Sequence, residues 1–404
     1  MKSLRCLLFI PFLLISLSCE STSQGEFAPV RTGAEMLIEN HLNELSGQRI
    51  GLVMNPTARI GDTHMLDTLL TLDVKVTALF APEHGFRGDA GAGEVIEDGV
   101  DQTTGLPVYS LYGSNKKPTP EMLEQVDILI FDMQDVGARF YTYNSTMKYI
   151  VEAAADAAKE VWILDRPNPA GGEYVAGWVL EEEYESFVGT YHIPVAHGLT
   201  FGELALMAEG EGWFETDNDP LIKVIEMNGW HRNMKWPETG LTWIPPSPNL
   251  PTFQHAYVYL GTCFIEGTTL SEGRGTEDPF LTIGAPSTDL NWNEVEELAS
   301  EFGVRLDSIS FTPQSIPGKA YNPKHEGERS SGVKITSIDQ LEDPVSFGAE
   351  LMKLLVRSTP GSEYKDFLFL LSGSQKIRAN NYPYSWGEEF DSFLEKRVKY
   401  LIYD

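Results

Sequence analysis

Residues 76–88 read Val-Thr-Ala-Leu-Phe-Ala-Pro-Glu-His-Gly-Phe-Arg-Gly, an uncharged apolar run that stops at Glu83 and His84 and is followed by Arg87. Together these supply a proton donor or acceptor, a titratable ring and a cation that can fork onto a carboxylate. Between proline and glycine hinges, such a group favours acid–base chemistry on a polar substrate. The plain alternative is a glutamate that caps the following turn, with His84 bonded to backbone. Position argues for function: Val76–Ala81 reads as a buried strand, and in open α/β sheets ligands bind beyond the carboxyl ends of the strands.

Three further loops repeat the pattern. The run Val126–Phe131 ends in Asp132-Met133-Gln134-Asp135, followed by Arg139, Tyr141 and Thr142, a mix of donors and acceptors suited to sugar hydroxyls. Val161–Leu164 leads into Asp165-Arg166-Pro167-Asn168-Pro169, whose prolines would hold Asp165, Arg166 and Asn168 rigidly; Asp165 reads as an orienting or hydroxyl-binding carboxylate rather than a metal ligand. Arg49–Met54 ends at Asn55-Pro56, which puts Asn55 on the same edge, and His197 precedes a helix start, where a neutral hydrogen-bonding imidazole is natural. A second dense constellation, Glu266-Gly267-Thr268-Thr269-Leu270-Ser271-Glu272-Gly273-Arg274-Gly275-Thr276, follows the apolar run 256–265, read here as a strand. Glu266, Glu272 and Arg274 are its chemical groups, and an arginine between glycines can approach a carboxylate with both prongs.

The elements that must position these loops alternate strand and helix from Gln48 onward, the signature of a mostly parallel, doubly wound α/β sheet. Residues 62–72 carry Met65, Leu66, Leu69, Leu70 and Leu72 at helical spacing, and 149–159 is an alanine-rich helix. Thr200 and Glu203 form a capping box for a helix over 201–209, giving Glu203 a structural task. Residues 211–254 read as irregular loop. A helix over 292–302, a strand over 304–311, a helix from Pro344 capped by Asp343, a buried strand over 367–371 and a last helix capped by Ser385 and Glu388 complete the pattern.

Composition and missing motifs narrow the chemistry. The 404 residues carry a formal charge of −29, against nucleic acid or anionic membrane as partner. There is no phosphate loop, no complete dinucleotide fingerprint, no serine-hydrolase elbow and no paired histidine spacing, so neither a cofactor nor a metal is expected. Lys2 and Arg5 precede an apolar stretch from Cys6 to Leu17, and Ser18-Cys19 follows: a signal peptide over 1–19 in which Cys19 fits a bacterial lipid-attachment site except for Ser16 where leucine is preferred. The expected division is a tether over 20–40, a Rossmann-like catalytic domain over 41–260 and a smaller α/β domain over 261–404. The protein is expected to be exported and anchored to the bacterial envelope by lipid, or else secreted. Cys263 is expected to be a buried, inert thiol.

Taken together, Pro82–Gly88, Phe131–Thr142, Asp165–Pro169 and Glu266–Gly275 resemble the NamZ family, exo-acting β-N-acetylmuramidases of glycoside hydrolase family 171, formerly a domain of unknown function. The resemblance runs from about residue 48 to the C-terminus. It implies a Rossmann-like domain without nucleotide, a smaller α/β domain, an active cleft between them, and release of N-acetylmuramic acid (MurNAc) from the non-reducing end of peptidoglycan fragments such as MurNAc-GlcNAc oligosaccharides. The family's catalytic glutamate falls on Glu83. Glycosidic cleavage usually uses two carboxyl groups, and Glu266, Glu272, Asp132 and Asp165 compete for the second place, with Glu266 favoured; the substrate's N-acetyl group could instead assist. The lactyl carboxylate of muramic acid gives Arg87, Arg139 and Arg274 a candidate partner. The competing reading is a non-catalytic glycan-binding envelope lipoprotein.

Overall fold

A computed structural model describes residues 29–83, 85–87, 98–113, 115–379 and 382–404. The larger half is built on a seven-stranded sheet: β1 (Ile50–Met54), β2 (Val76–Ala81), β3 (Gly99–Val100), β4 (Pro107–Ser110), β5 (Ile128–Asp132), β6 (Glu160–Leu164) and β7 (Leu221–Ile225), in the spatial order β3-β4-β2-β1-β5-β6-β7. All neighbours run parallel except β3, which pairs antiparallel with β4. After β1 the chain builds outward on one side and then, from β5, on the other. The switch point therefore lies between β1 and β5, from which the chain leaves in opposite directions, and ligands gather beside it in this class of sheet.

The central strands are apolar and buried because both sheet faces are covered. Side chains alternate between two cores: Leu52, Leu79 and Ile130 join one, Val53, Phe80 and Phe131 the other. The helices Met65–Thr71, Tyr143–Asp156 and Phe201–Gly210 cover the faces, and the predicted capping box at Thr200 and Glu203 is present. The smaller half carries a three-stranded antiparallel sheet, β8 (Thr282–Ala285), β9 (Arg305–Phe311) and β10 (Ser330–Ser337) in the order β8-β10-β9, with helices Trp292–Phe302 and Pro344–Arg357. The second core runs on without interruption into this half, through Phe264, Phe280 and Phe347.

Several expectations are corrected. The tether ends earlier than residue 40: Val30, Ala34 and Leu37 are buried, and Gly33–Met36 is helix, because this segment packs beside β7 and its cross-bridge joins Arg31 to Asn228. Residues 211–254 are not all loop, since Leu221–Ile225 is an edge strand of the large sheet; its lysine and half-exposed pattern hid it. The apolar run 256–265 is not a strand but helix Phe253–Thr262 followed by a 3-10 turn, Cys263–Gly267. It packs on helix Pro344–Arg357 so closely that a Cβ on Gly261 would lie 2.0 Å from the Pro344 carbonyl oxygen. Residues 367–371 are likewise helix, Phe367–Ser372. The run 256–265 is buried on all sides and so carries no periodicity to separate helix from strand, and 367–371, with Phe367 exposed, is too short to show one. The last helix begins at Glu388 with Gly387 at its N-cap, so Ser385 caps nothing there.

Candidate active site

A cleft of ≈ 480 Å³ opens between the two halves, with Glu83 on one wall and Glu266, Glu272 and Arg274 on the other. Glu83 sits two residues beyond β2, in a turn closed by the Gly85 N–H donating to the Pro82 carbonyl (3.1 Å). Thr142, on the segment after β5, crosses above β1 and donates its hydroxyl to Glu83 Oε2 (2.9 Å). Tyr112, just beyond β4, shares this wall; burial and then the neighbouring Glu83 charge push its phenol well above the ordinary range. The surroundings of Glu83 are thus rich in hydroxyls, which can donate to a carboxylate and accept from a carboxylic acid.

The opposite wall is a network of charges. Arg274 places Nε and Nη2 at 3.0 and 2.7 Å from a single Glu266 oxygen, Oε1, and its Nε lies 3.7 Å from Glu272. Burial alone would lower the Arg274 pKa, but the charges of Glu266 and Glu272 outweigh it and hold the guanidinium above its ordinary value. Lys324 reaches 3.0 Å from Glu272 and donates to the carbonyls of Ile265, Glu266 and Leu270, tying the loop in place. Gly273 is required here: its φ is +83°, and a Cβ would lie 2.2 Å from the Thr282 carbonyl oxygen. Glu266 is presented by a helical turn after a helix rather than by a strand end.

Of the residues expected at the site, Glu83, Tyr141, Glu266, Glu272 and Arg274 line the cleft. The other described ones lie behind it or outside, each with a structural reason. Asp132 is fully buried and gripped by Arg166, Nε–Oδ1 2.6 Å and Nη2–Oδ2 3.1 Å. Asp165, also buried, accepts from the N–H groups of Arg166 and Gly202 and from the hydroxyls of Thr200 and Tyr403, the last from the C-terminal tail. Asn55 accepts from Thr57, Gln134 donates to the carbonyls of Asp135 and Pro167, and Asn168 donates to that of Leu199. His197 is buried; its Nδ1 accepts from the Leu199 N–H, which leaves Nε2 to carry the proton facing Asp135 at 3.4 Å. Arg139 donates from Nη1 to the carbonyls of Trp178 and Ile193 and from Nη2 to that of Leu371, so it fastens the two halves beneath the cleft, and burial lowers its pKa to about 9. Arg87 pairs with Asp101 through two contacts of 3.3 Å. His84 lies outside the described residues.

The sequence reading missed Tyr112 and Lys324 and gave Thr142 no role of its own. Tyr112 follows a four-residue strand on the same sheet edge, which was the available signal. Lys324 sits in an Asn-Pro-Lys turn far along the chain and carried none. Cys263 is buried, as expected, and burial pushes its thiol well above the ordinary value.

Comparison with known proteins matches both halves. The family described as exo-beta-N-acetylmuramidase NamZ, N-terminal, matches residues 50–254, and its C-terminal counterpart matches residues 257–403. The chain is 42% identical over 413 residues to the peptidoglycan beta-N-acetylmuramidase NamZ of Bacillus subtilis (strain 168), covering 96% of this chain and 95% of that protein. Two crystal structures of DUF1343 family proteins from Bacteroides fragilis NCTC 9343 are each 33% identical, covering 93% of this chain and 99% of their own, with TM-scores of 0.78 and 0.74. By sequence over nearly its whole length, and by fold, the chain belongs to the NamZ family of exo-β-N-acetylmuramidases.

Proposed function

We propose that this protein is a glycoside hydrolase that releases N-acetylmuramic acid from the non-reducing end of peptidoglycan fragments, with MurNAc-GlcNAc oligosaccharides as substrates. The observation that carries the reading is one cleft walled by carboxyl groups from both family segments, Glu83 from the first and Glu266 from the second. Hydrolysis of a glycoside needs a proton delivered to the leaving oxygen and a carboxylate toward the positive charge that grows at C1. Glu83, among hydroxyls that serve either charge state, takes the first role. Glu266, whose Oε1 is committed to Arg274, takes the second in preference to Glu272, which is the more deeply buried and is held by both cations.

Arg274 is the one of the three candidate arginines that lines the cleft, and its buried Nη1 has no hydrogen-bond partner among the described residues. It is the group assigned to the lactyl carboxylate, as a cation whose side chain stays 22% exposed on the cleft wall. Release of free sugars from a MurNAc-GlcNAc disaccharide tests the whole reading, with the same disaccharide lacking the lactyl ether as a poorer substrate. Glu83→Gln should lower kcat by at least about 10²-fold, the scale of a lost general acid. No sugar release by the native protein would leave only a glycan-binding role, in which binding survives Glu83→Gln.

Export and lipid attachment through Cys19 belong to the same proposal, supported by the charged, apolar and Ser18-Cys19 sequence of residues 1–19. Labelled palmitate should enter the protein in a bacterial host and fail to enter Cys19→Ala. Unlabelled native protein would reduce the proposal to secretion.

A further inference from the structure

The carboxyl of Glu83 is held from a second element whose own geometry is fixed. Thr142 is the N-cap of the 14-residue helix Tyr143–Asp156, and its carbonyl accepts from the Thr146 N–H (3.0 Å) and hydroxyl (3.2 Å). That anchors the Thr142 backbone. Its hydroxyl is left to reach Glu83 Oε2 at 2.9 Å, across the switch point of the sheet. The first turn of this helix carries no acidic residue, and Glu83, supplied by the neighbouring loop, is the carboxyl that meets its N-terminal end. The next residue secures the backbone: the Tyr143 hydroxyl donates to the Pro246 carbonyl at 2.8 Å and lies 3.4 Å from the Glu83 carbonyl. Having one proton, it gives it to the nearer oxygen, so the second contact adds packing rather than a full hydrogen bond. Thr142 and Tyr143 both line the cleft.

We propose that Thr142 is a positioning residue for the acid, making Oε2 of Glu83 an acceptor in both charge states and stabilising the carboxylate formed as the proton leaves. The inference rests on the reading of Glu83 as proton donor. In that step the O–H bond at Oε1 breaks and the proton joins the glycosidic oxygen, which keeps the electron pair of the breaking C1–O bond. The leaving sugar departs with a hydroxyl, and water completes C1 while its other proton restores Glu83. A hydrogen bond to a carboxylate is stronger than one to the neutral acid. The contribution of Thr142 therefore grows along the reaction and appears in kcat.

The test compares native protein, Thr142→Val and Thr142→Ser on the MurNAc-GlcNAc disaccharide across pH. Thr142→Val keeps the shape and loses the hydroxyl; kcat should fall about tenfold or more, as for one lost charge-assisted hydrogen bond, with KM nearly constant. The alkaline limb of kcat/KM should move upward, because an acid without this donor gives up its proton less readily. Thr142→Ser should return both values to near native. If Thr142→Val is not folded by circular dichroism, Thr142→Ala carries the same measurement. A kcat within twofold of native and an unmoved limb would overturn the proposal. The functional reading fails separately, through an active Glu83→Gln. With both sound, Thr142→Val adds no further loss in the Glu83→Gln background, since the two groups act as one.

Discussion

Glu83 and the pair Asp132 and Asp165 occupy comparable places and have opposite fates. All three follow or end parallel strands of one sheet, β2, β5 and β6, on its carboxyl edge. Asp132 is sealed from solvent under a two-pronged arginine, and Asp165 is sealed under four hydrogen-bond donors. Glu83 faces a cleft and its partner Thr142 is a neutral hydroxyl. The sheet edge thus offers several carboxyl groups, and the partners decide their use. On this edge a carboxyl sealed from solvent by its partners serves the architecture, and one that faces the cleft beside a hydroxyl able to follow a change of charge is free to do chemistry.

Removing Asp132 tests this contrast most severely. Asp132→Asn leaves the buried guanidinium of Arg166 without its charge partner, a change worth about 3–5 kcal/mol of stability in buried pairs. Urea unfolding should show that loss, while kcat of the folded fraction on the disaccharide stays native. Glu83→Gln should do the reverse. An Asp132→Asn protein that is stable but inactive would return Asp132 to the candidates for the second catalytic carboxylate.

Asp165 gives a smaller effect that is visible against pH. Burial pushes its carboxyl up to about 7, against hydrogen bonds from Gly202, Thr200 and Tyr403 that pull it down. An unfolded aspartate titrates near about 3.9. The folded protein therefore holds this proton more tightly, so its stabilising contribution is complete below about pH 4 and is lost as pH rises through about 7. Unfolding free energies measured across that window should fall in the native protein and fall less steeply in Asp165→Asn. Parallel curves would show that the carboxyl is ionised in the fold throughout.

The same contrast explains what could be read from the chain. The strands β1, β2, β5 and β6 were legible because fully buried parallel strands are uninterrupted apolar runs ended by turn residues. Glu83 was legible for the same reason. The burial of Asp132, Asp165, His197 and Arg139 was not, because their partners, Arg166, Tyr403, Asp135 and the carbonyl of Leu371, are brought together only by folding. Tyr403 lies 238 residues from Asp165 and Leu371 lies 232 from Arg139. The run 256–265 was misread as strand since a helix buried on all faces shows no 3.6-residue period, and Glu266 was placed in the cleft for a reason that proved incorrect. Thr142 stood in plain view within Arg139–Thr142, yet a lone threonine gains meaning only from what its hydroxyl touches.

Arg87 brings the contrast within one loop and predicts the smallest effect. It lies four residues from Glu83, and the family resemblance makes it a candidate for the substrate's lactyl carboxylate. In the fold it turns to Asp101, with Asp67 at 3.8 Å, and its side chain is 28% exposed. A partly exposed pair of this kind contributes about 0–1 kcal/mol. Arg87→Met should therefore shift the unfolding midpoint little and change KM for the disaccharide by less than twofold. Asp101 is depressed below the ordinary carboxylate range by Arg87 and Thr104 despite burial that opposes it, so the pair is formed at neutral pH and weakens only in acid. A tenfold rise in KM would mean that Arg87 leaves Asp101 when substrate arrives, and that the loop after β2 supplies both the acid and an anion contact.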